Sequence, residues 1–247
     1  MSDLITVTGV VLSAMPIGEY DKRVVLLTKE RGKISAFARG ARRSNSPLLA
    51  ACNPFVFGTF SLYEGRSNYN LTRASVKHYF TELARMQPGV YYGFYFLELA
   101  DYYGKENVDE MQMINLLYVT VKALLNPHID DRLIRRIFEL RMLVIQGEYP
   151  QMFSCCDCGA TENLTHFSEN KKGMLCAECA KKQKDSEAVD ESTLYAIQYI
   201  IHVPVSRLYT FAVSEQVQKR LDHFVSRWMI WQLDRRLKSQ SILEMML

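Results

Sequence analysis

Four cysteines carry the most specific chemistry in this chain. Two residues separate Cys155 from Cys158, two separate Cys176 from Cys179, and 17 lie between the pairs. Each pair can bend so that both thiolates meet one ion. Four thiolates close a tetrahedral Zn2+ site at about 2.3 Å per bond, and the gap between the pairs is that of a zinc ribbon or knuckle. Gly159 follows the first pair, where a tight turn is useful. Such a site leaves no position for water, so one bound zinc is structural and not catalytic. The preferred role is to staple a loop excursion, ahead of direct contact with a partner. Cys156 would also allow Cys156-x-Cys158, but one intervening residue makes the knuckle turn difficult, so Cys156 is a bystander. Cys52 stands alone and reads as a small buried side chain.

The second constellation is basic. Lys33, Ser35, Phe37 and Arg39 alternate on one face of a strand. There Phe37 can stack a base while Lys33 and Arg39 neutralise phosphates. Arg42 and Arg43 open a loop with Ser44, Asn45 and Ser46, next to Gly40. Lys22 and Arg23 begin the preceding strand, and Arg73 lies in a later one. The alternative is an exposed strand face with solvated charges, and the residues alone do not choose between the two.

Catalysis has no comparable support. His78, His128, His166, His202 and His223 are scattered, with no His-x-Glu or His-Glu-x-x-His arrangement. No Gly-x4-Gly-Lys-Ser/Thr loop is present to cradle a nucleotide phosphate. Asp109-Glu110 and Asp130-Asp131 are simplest as charges at helix N-termini. The expectation is a protein without a catalytic site.

These side chains need elements to hold them. The chain has 247 residues, 48% of them hydrophobic, enough for a true core. Residues 1 to 80 read as five strands: Ile5–Val11, Arg23–Thr28, Lys33–Ala38, Phe55–Tyr63 and Tyr69–Val76. Turn signals stand at Pro16-Ile17-Gly18, Arg31-Gly32, Ser46-Pro47 and Gly65-Arg66. Five short strands with a basic loop between the third and fourth predict a small closed barrel. An OB-fold leads, and an SH3-like barrel has similar patterning.

Helical periodicity takes over after residue 81. An aromatic-rich helix follows Pro88-Gly89, a second spans Val108–Leu125, and a third starts after Asp130 and stops at Gly147. In the third, Leu133, Ile137, Leu140 and Val144 make the apolar stripe, and Arg132, Arg135, Arg136 and Arg141 lie off it. Lys181–Asp190 reads as a linker or helix end. Glu191–His202 is helical. Glu215–Leu237 is a long amphipathic helix with its stripe at Val217, Leu221, Phe224, Trp228 and Trp231. The predicted architecture is α+β. A five-stranded OB-fold barrel (1–80) is the candidate nucleic-acid-binding domain. An all-helical domain (81–149 and 183–247) carries a four-cysteine zinc insertion (150–182).

Net charge is only +3, but residues 1–80 hold 11 basic against 5 acidic side chains, and the remainder 19 against 22. The basic part is the one suited to a phosphate-rich partner. No apolar run is long enough to span a membrane, and the N-terminus lacks the basic start and apolar core of a signal peptide. A cytoplasmic location follows as the expectation, and clustered cysteines in that reducing compartment favour metal over disulfides.

The order of parts resembles one family. Gly9-Val10-Val11-Leu12, Gly18-Glu19-Tyr20-Asp21-Lys22 and the run Thr28 to Arg43 are similar to the start of the RecO family of bacterial recombination mediators. Leu48 to Phe60 follows its pattern of apolar residues, Pro-Phe and Gly-x-Phe. Phe138-Glu139-Leu140-Arg141, Gly147-x-x-Pro150 and Cys155-x-x-Cys158-Gly159 resemble its centre, and Arg235-Arg236-Leu237-Lys238-Ser239 its end. Each motif is weak alone, whereas the ordered set is specific. The resemblance implies an OB-fold, a helical domain and a zinc-binding insertion. It implies binding of single- and double-stranded DNA and annealing of complementary strands. It further implies partnership with RecR and with the acidic C-terminal tail of single-strand-binding protein, acting indirectly on RecA, in a bacterial, nucleoid-associated setting. Cys155, Cys158, Cys176 and Cys179 match the family's zinc ligands, and Lys33, Arg39, Arg42 and Arg43 match its basic segment. The extra Cys156 departs from the pattern. A zinc-ribbon nucleic-acid-binding regulator without annealing activity is the alternative, though no helix-turn-helix supports it.

Overall fold

In the computed structural model, residues 3–65 and 68–247 are described; the Arg66 half of the expected Gly65-Arg66 turn lies outside them. The described chain divides into two compact units, Met1–Asp131 with Arg235–Leu247, and Arg132–Asp234.

Five strands open the first unit: β1 (Asp3–Ile17), β2 (Asp21–Thr28), β3 (Gly32–Ala38), β4 (Phe57–Glu64) and β5 (Tyr69–His78), with a short helix α1 (Leu48–Ala51) between β3 and β4. They pair in the order β1-β2-β3-β5-β4 and close into a barrel, because β1 is long enough to bond β2 at one end and β4 at the other. All pairings are antiparallel except the short parallel contact of β3 with β5. Alternation drives the closure: Val7, Val24, Leu26, Ile34, Ala36, Phe60 and Leu62 point inward and form the core. Cys52 is buried in that core, and its thiol is pushed up to about 11 by burial.

Strand β1 departs from the expectation. It runs through Pro16 and Ile17, and the turn falls at Gly18, whose φ is +54°. The proline is tolerated because it lies near the end of the strand, where its missing N–H costs little.

Three helices complete this unit: α2 (Gly89–Tyr103), α3 (Met111–Leu124) and, from the far end of the chain, α8 (Lys238–Met246). Aromatic on most sides, α2 buries Tyr92, Tyr95, Phe96 and Tyr103. The second expected helix begins three residues late. Asp109 accepts the N–H of Met111 with its carboxylate at 2.8 Å, which starts α3 there and leaves Val108 exposed. Helix α8 has no side-chain cap of its own. Glu98 of α2 supplies one by accepting from the N–H groups of Lys238 (3.2 Å) and Ser239 (2.7 Å).

The second unit holds α4 (Asp131–Gln146), α5 (Ala177–Ala180), α6 (Glu191–His202) and α7 (Glu215–Gln232). It also holds a three-stranded sheet of β6 (Leu164–Ser168), β7 (Gly173–Cys176) and β8 (Ser186–Ala188) in the order β7-β6-β8. Three expectations are corrected here. The charged Lys181–Asp190 stretch supplies strand β8 instead of a linker, because Ser186–Ala188 pairs with the free edge of β6. Helix α7 ends at Gln232 rather than Leu237, and Leu237 instead precedes α8. Its buried stripe is Val217, Leu221, Val225, Trp228 and Met229; Phe224 is half-exposed and Trp231 is 48% exposed. Two apolar spacings coexist on α7, and packing selects the one that buries the unbranched and branched aliphatics. No helix of the described residues is long and apolar enough to cross a membrane.

Candidate nucleic-acid surface and metal centre

The first 80 residues place an aromatic and basic row across the outside of the barrel. Residues directly opposite each other on paired strands share a face. Arg23 of β2 opposes Phe37 of β3, Phe37 opposes Asn70 of β5, and Asn70 opposes Tyr63 of β4. Two flanking positions, Met15 opposite Arg23 and Leu4 opposite Tyr63, are more than half exposed. The alternation expected for β3 holds: Ile34, Ala36 and Ala38 are buried, whereas Lys33, Ser35 and Phe37 are half-exposed and Arg39 is exposed. Beside the row, Arg39 and Tyr63 line a shallow cavity of about 530 Å3 with Asn70 and Thr72.

The eight expected DNA-binding residues do not form one cluster. Arg23 and Phe37 are directly opposed, Arg23 donates to Ser35 Oγ at 2.8 Å, and Arg39 lies by Tyr63 and Asn70 of the same row. Arg42 and Arg43 sit at the β1–β2 turn. There Arg42 donates to the Gly18 carbonyl at 2.9 Å, and the Arg43 guanidinium lies 5.1 Å from the centre of the Tyr20 ring. Arg73 is exposed on β5, opposite Ser61. Two lysines are engaged internally. Lys22 donates to the Leu49 carbonyl (3.2 Å) and Asn53 (3.0 Å). The Lys33 ammonium lies 3.6 Å from the Asp101 carboxylate at the end of α2. Tyr63 escaped sequence reasoning. Its signal was an aromatic residue at an outward position of an alternating strand, 43% exposed where its neighbours Leu62 and Phe60 are buried.

The cysteine cluster is built by two turns of the backbone. Around the first, the Cys155 N–H donates to the Ala160 carbonyl at 2.7 Å and the Gly159 N–H to the Cys155 carbonyl at 2.9 Å. Gly159 adopts φ +76°, a left-handed conformation that glycine enters freely. The second turn is the end of β7 running into α5, with Cys176 before the helix and Cys179 within it. The sulfurs of Cys155, Cys158, Cys176 and Cys179 lie within 4.8 Å of one another, and Cys158 Sγ is 3.8 Å from Cys176 Sγ. Thiolates on a tetrahedral ion at about 2.3 Å stand about 3.8 Å apart, so the cluster has the size such an ion needs. Leu175 and Ala180 pack around it in a small core. Burial opposes charge on Cys155, but backbone N–H groups of Cys176, Cys158 and Asp157 outweigh it and bring the thiol down to about 6. Cys179, hydrogen-bonded to Cys176, is pushed up to about 12. The Cys156 sulfur is not among the four and packs against Gly173.

The arginines of α4 are occupied. Arg135 and Arg136 both bond the fully buried Glu139 carboxylate, at 2.8 and 2.7 Å, and Arg136 also reaches Asp222 at 2.7 Å. Arg141 donates to the carbonyls of Ile200 and Ile201 at the end of α6. In the same unit a cavity of about 350 Å3 is lined by Phe167, Trp228 and Trp231 with Lys219, Arg220 and Arg227, and by Glu169 and Glu187, which pair with Arg227.

A five-stranded N-terminal barrel, a helical remainder and a four-sulfur centre able to hold a metal ion define a mixed α+β chain of a recognisable class. Residues 1–80 match the model of the recombination protein O N-terminal region, and residues 89–241 match that of its C-terminal region. The chain is 31% identical to the DNA repair protein RecO of Alkaliphilus metalliredigens over 94% of this chain and 95% of that protein. It is 29% identical to the RecO of Acetivibrio thermocellus (92% and 91% covered) and 30% identical to that of Bacillus pumilus (91% and 89%). The chain belongs to the RecO family.

Proposed function

We propose that this protein is a DNA-binding recombination mediator of DNA repair, acting by surface chemistry and not by catalysis. The observation that carries the reading is the outward row Arg23–Phe37–Asn70–Tyr63 with Arg39 at its side. The strand order and the parallel β3–β5 contact support an OB-fold, a barrel class that binds oligonucleotides. Rings on such a face stack bases without reading sequence, while guanidinium groups neutralise phosphates. Two strands brought to one basic surface repel each other less and meet at higher local concentration, which promotes annealing. Both single- and double-stranded DNA fit this account, since phosphate contact is common to both. Family membership supports the finer steps. RecR is a partner, the acidic tail of single-strand-binding protein is bound, and RecA is loaded onto coated single strands in the bacterial cytoplasm at the nucleoid.

Zinc is the ion proposed for Cys155, Cys158, Cys176 and Cys179, on the strength of the all-sulfur donor set and its spacing. The four cysteines would hold it, and its contribution is to fix the loop and sheet of residues 150–182. The division into 1–80, 81–149, 150–182 and 183–247 is retained as a proposal about functional parts.

The test is annealing of complementary oligonucleotides followed by fluorescence, together with single-strand titration. Phe37→Ala with Tyr63→Ala should weaken single-strand binding by about 10- to 100-fold, the loss of stacking for one or two bases. Unchanged binding in that double variant would move the DNA surface off the barrel.

A further inference from the structure

A second feature of the first unit has no role in the reading above. Beneath the far end of β5, Phe55, Phe80, Val90 and Phe94 line a cavity of about 430 Å3, with Tyr79 and Arg85 at its mouth. Tyr79 and Phe94 are each 45% exposed, so both rings are open to a ligand from solvent. Phe94 meets Phe55 edge-on with ring centres 5.0 Å apart. Glycine at position 93 makes this approach possible: a Cβ there would stand 3.0 Å from the Phe55 ring. Among the described residues none that lines the cavity is acidic, and Arg85 is exposed at its edge.

The route to this cavity is continuous with the aromatic row. Strand β5 leaves the row at Asn70. Register shifts against β4 fall between Ser61 and Leu62, which lets both Thr72 and Arg73 face outward, and between Phe57 and Gly58, which sets Lys77 in a bulge; Ser75, Lys77 and Tyr79 are all exposed. The exposed side chains along β5 are therefore Arg73, Ser75 and Lys77, with Tyr79 just past its end at the cavity mouth. From Asn70 to Tyr79 the path covers about 30 Å at about 3.3 Å per residue. That is the reach of a short oligonucleotide, inside the range of about 4–16 nucleotides bound per barrel.

We infer that this cavity takes one unstacked nucleobase of a single strand whose backbone runs from the Phe37–Tyr63 row along β5 past Arg73 and Lys77. The base would lie against Phe94 and Tyr79, with Arg85 at the adjoining phosphate. The cavity volume is ample for a base. Its rings offer stacking without hydrogen-bond readout, so any base fits. A duplex cannot present an unstacked base, so this contact favours single strands over double strands. The inference rests on the barrel being the single-strand surface, and it adds the course and length of the path.

The experiment uses the full chain with fluorescent oligothymidylates of about 4 and about 10 nucleotides. Wild type is compared with Phe94→Ala, Arg85→Ala and Phe94→Trp, each checked for native circular dichroism. The expected result is about tenfold weaker binding of the longer oligonucleotide by Phe94→Ala, no change for the shorter one, and binding retained in Phe94→Trp. A terminal 5-iodouracil should cross-link on irradiation to a peptide spanning residues 79–94. If wild type binds and the variants bind equally at both lengths, with no cross-link there, the inference is overturned. The cavity then serves something else, such as an apolar side chain of a protein partner. If wild type binds no oligonucleotide, the barrel reading fails first and takes this inference with it.

Discussion

At the scale of single residues, the same amino acid does opposite jobs in different settings. Arg39 stands exposed beside an aromatic ring, whereas Arg136 is buried on Glu139. A helical wheel places Arg135, Arg136 and Arg141 off the apolar stripe of α4 and so reads them as outward. The readable signal was Glu139 at three and four residues from Arg136 and Arg135, the spacing of helical ion pairs. A buried pair is expensive to break, because the remaining charge stays desolvated without its counterion. Glu139→Ala should therefore cost about 3–5 kcal/mol, read as a fall in the urea midpoint at unchanged slope. A loss under about 1 kcal/mol would mean that water reaches the pair. The same distinction applies to Lys33. The sequence shows a lysine on the outward face of a strand, but not that Asp101, 68 residues later, sits within 3.6 Å of its ammonium.

At the scale of elements, local patterns were legible and their ends were not. Alternation, β-branched and aromatic runs and turn signals located all five strands, and helix α6 was read to the residue, because Asp190 caps it by accepting from the Thr193 N–H at 3.0 Å and Pro204 follows it closely. What escaped depended on partners distant in sequence. Ser186–Ala188 becomes a strand only because β6 offers an edge, and α8 starts at Lys238 because Glu98 caps it from another helix. The cysteine module lies between these cases. Its spacing predicts four converging sulfurs, and four converge within 4.8 Å. Its sheet is small and its core holds few apolar side chains, so an ion there would supply much of its folding energy. Purified protein should carry about one zinc per chain by elemental analysis. Cys158→Ser, or treatment with a strong chelator, should lower the melting temperature and open residues 150–182 to protease. DNA binding should survive largely intact, since the barrel does not contain the centre. Metal-free protein of unchanged stability would remove zinc from the reading.

At the scale of the whole molecule, charge is segregated rather than large. A net charge of +3 conceals +6 in residues 1–80 and −3 in the remainder. Binding driven by that part alone should release counterions from a few phosphates, not from a long track. Five exposed arginines, Arg23, Arg39, Arg42, Arg43 and Arg73, are placed for such contacts. At about 0.7 counterions per phosphate for a single strand, the logarithm of affinity should fall against the logarithm of salt with a slope of about −3.5. The engaged lysine supplies the control. Arg39→Ala should reduce the slope by about 0.7, whereas Lys33→Ala should leave it unchanged, because that ammonium is already held by Asp101. Lys33→Ala should instead show in thermal stability, through the loss of a bond between β3 and α2. If the two substitutions exchanged behaviours, phosphate would be displacing Asp101 from Lys33, and the basic strand would be the primary contact. If neither changed the slope, the contacts would lie outside the barrel, and the excess positive charge of residues 1–80 would have no part in holding the strand.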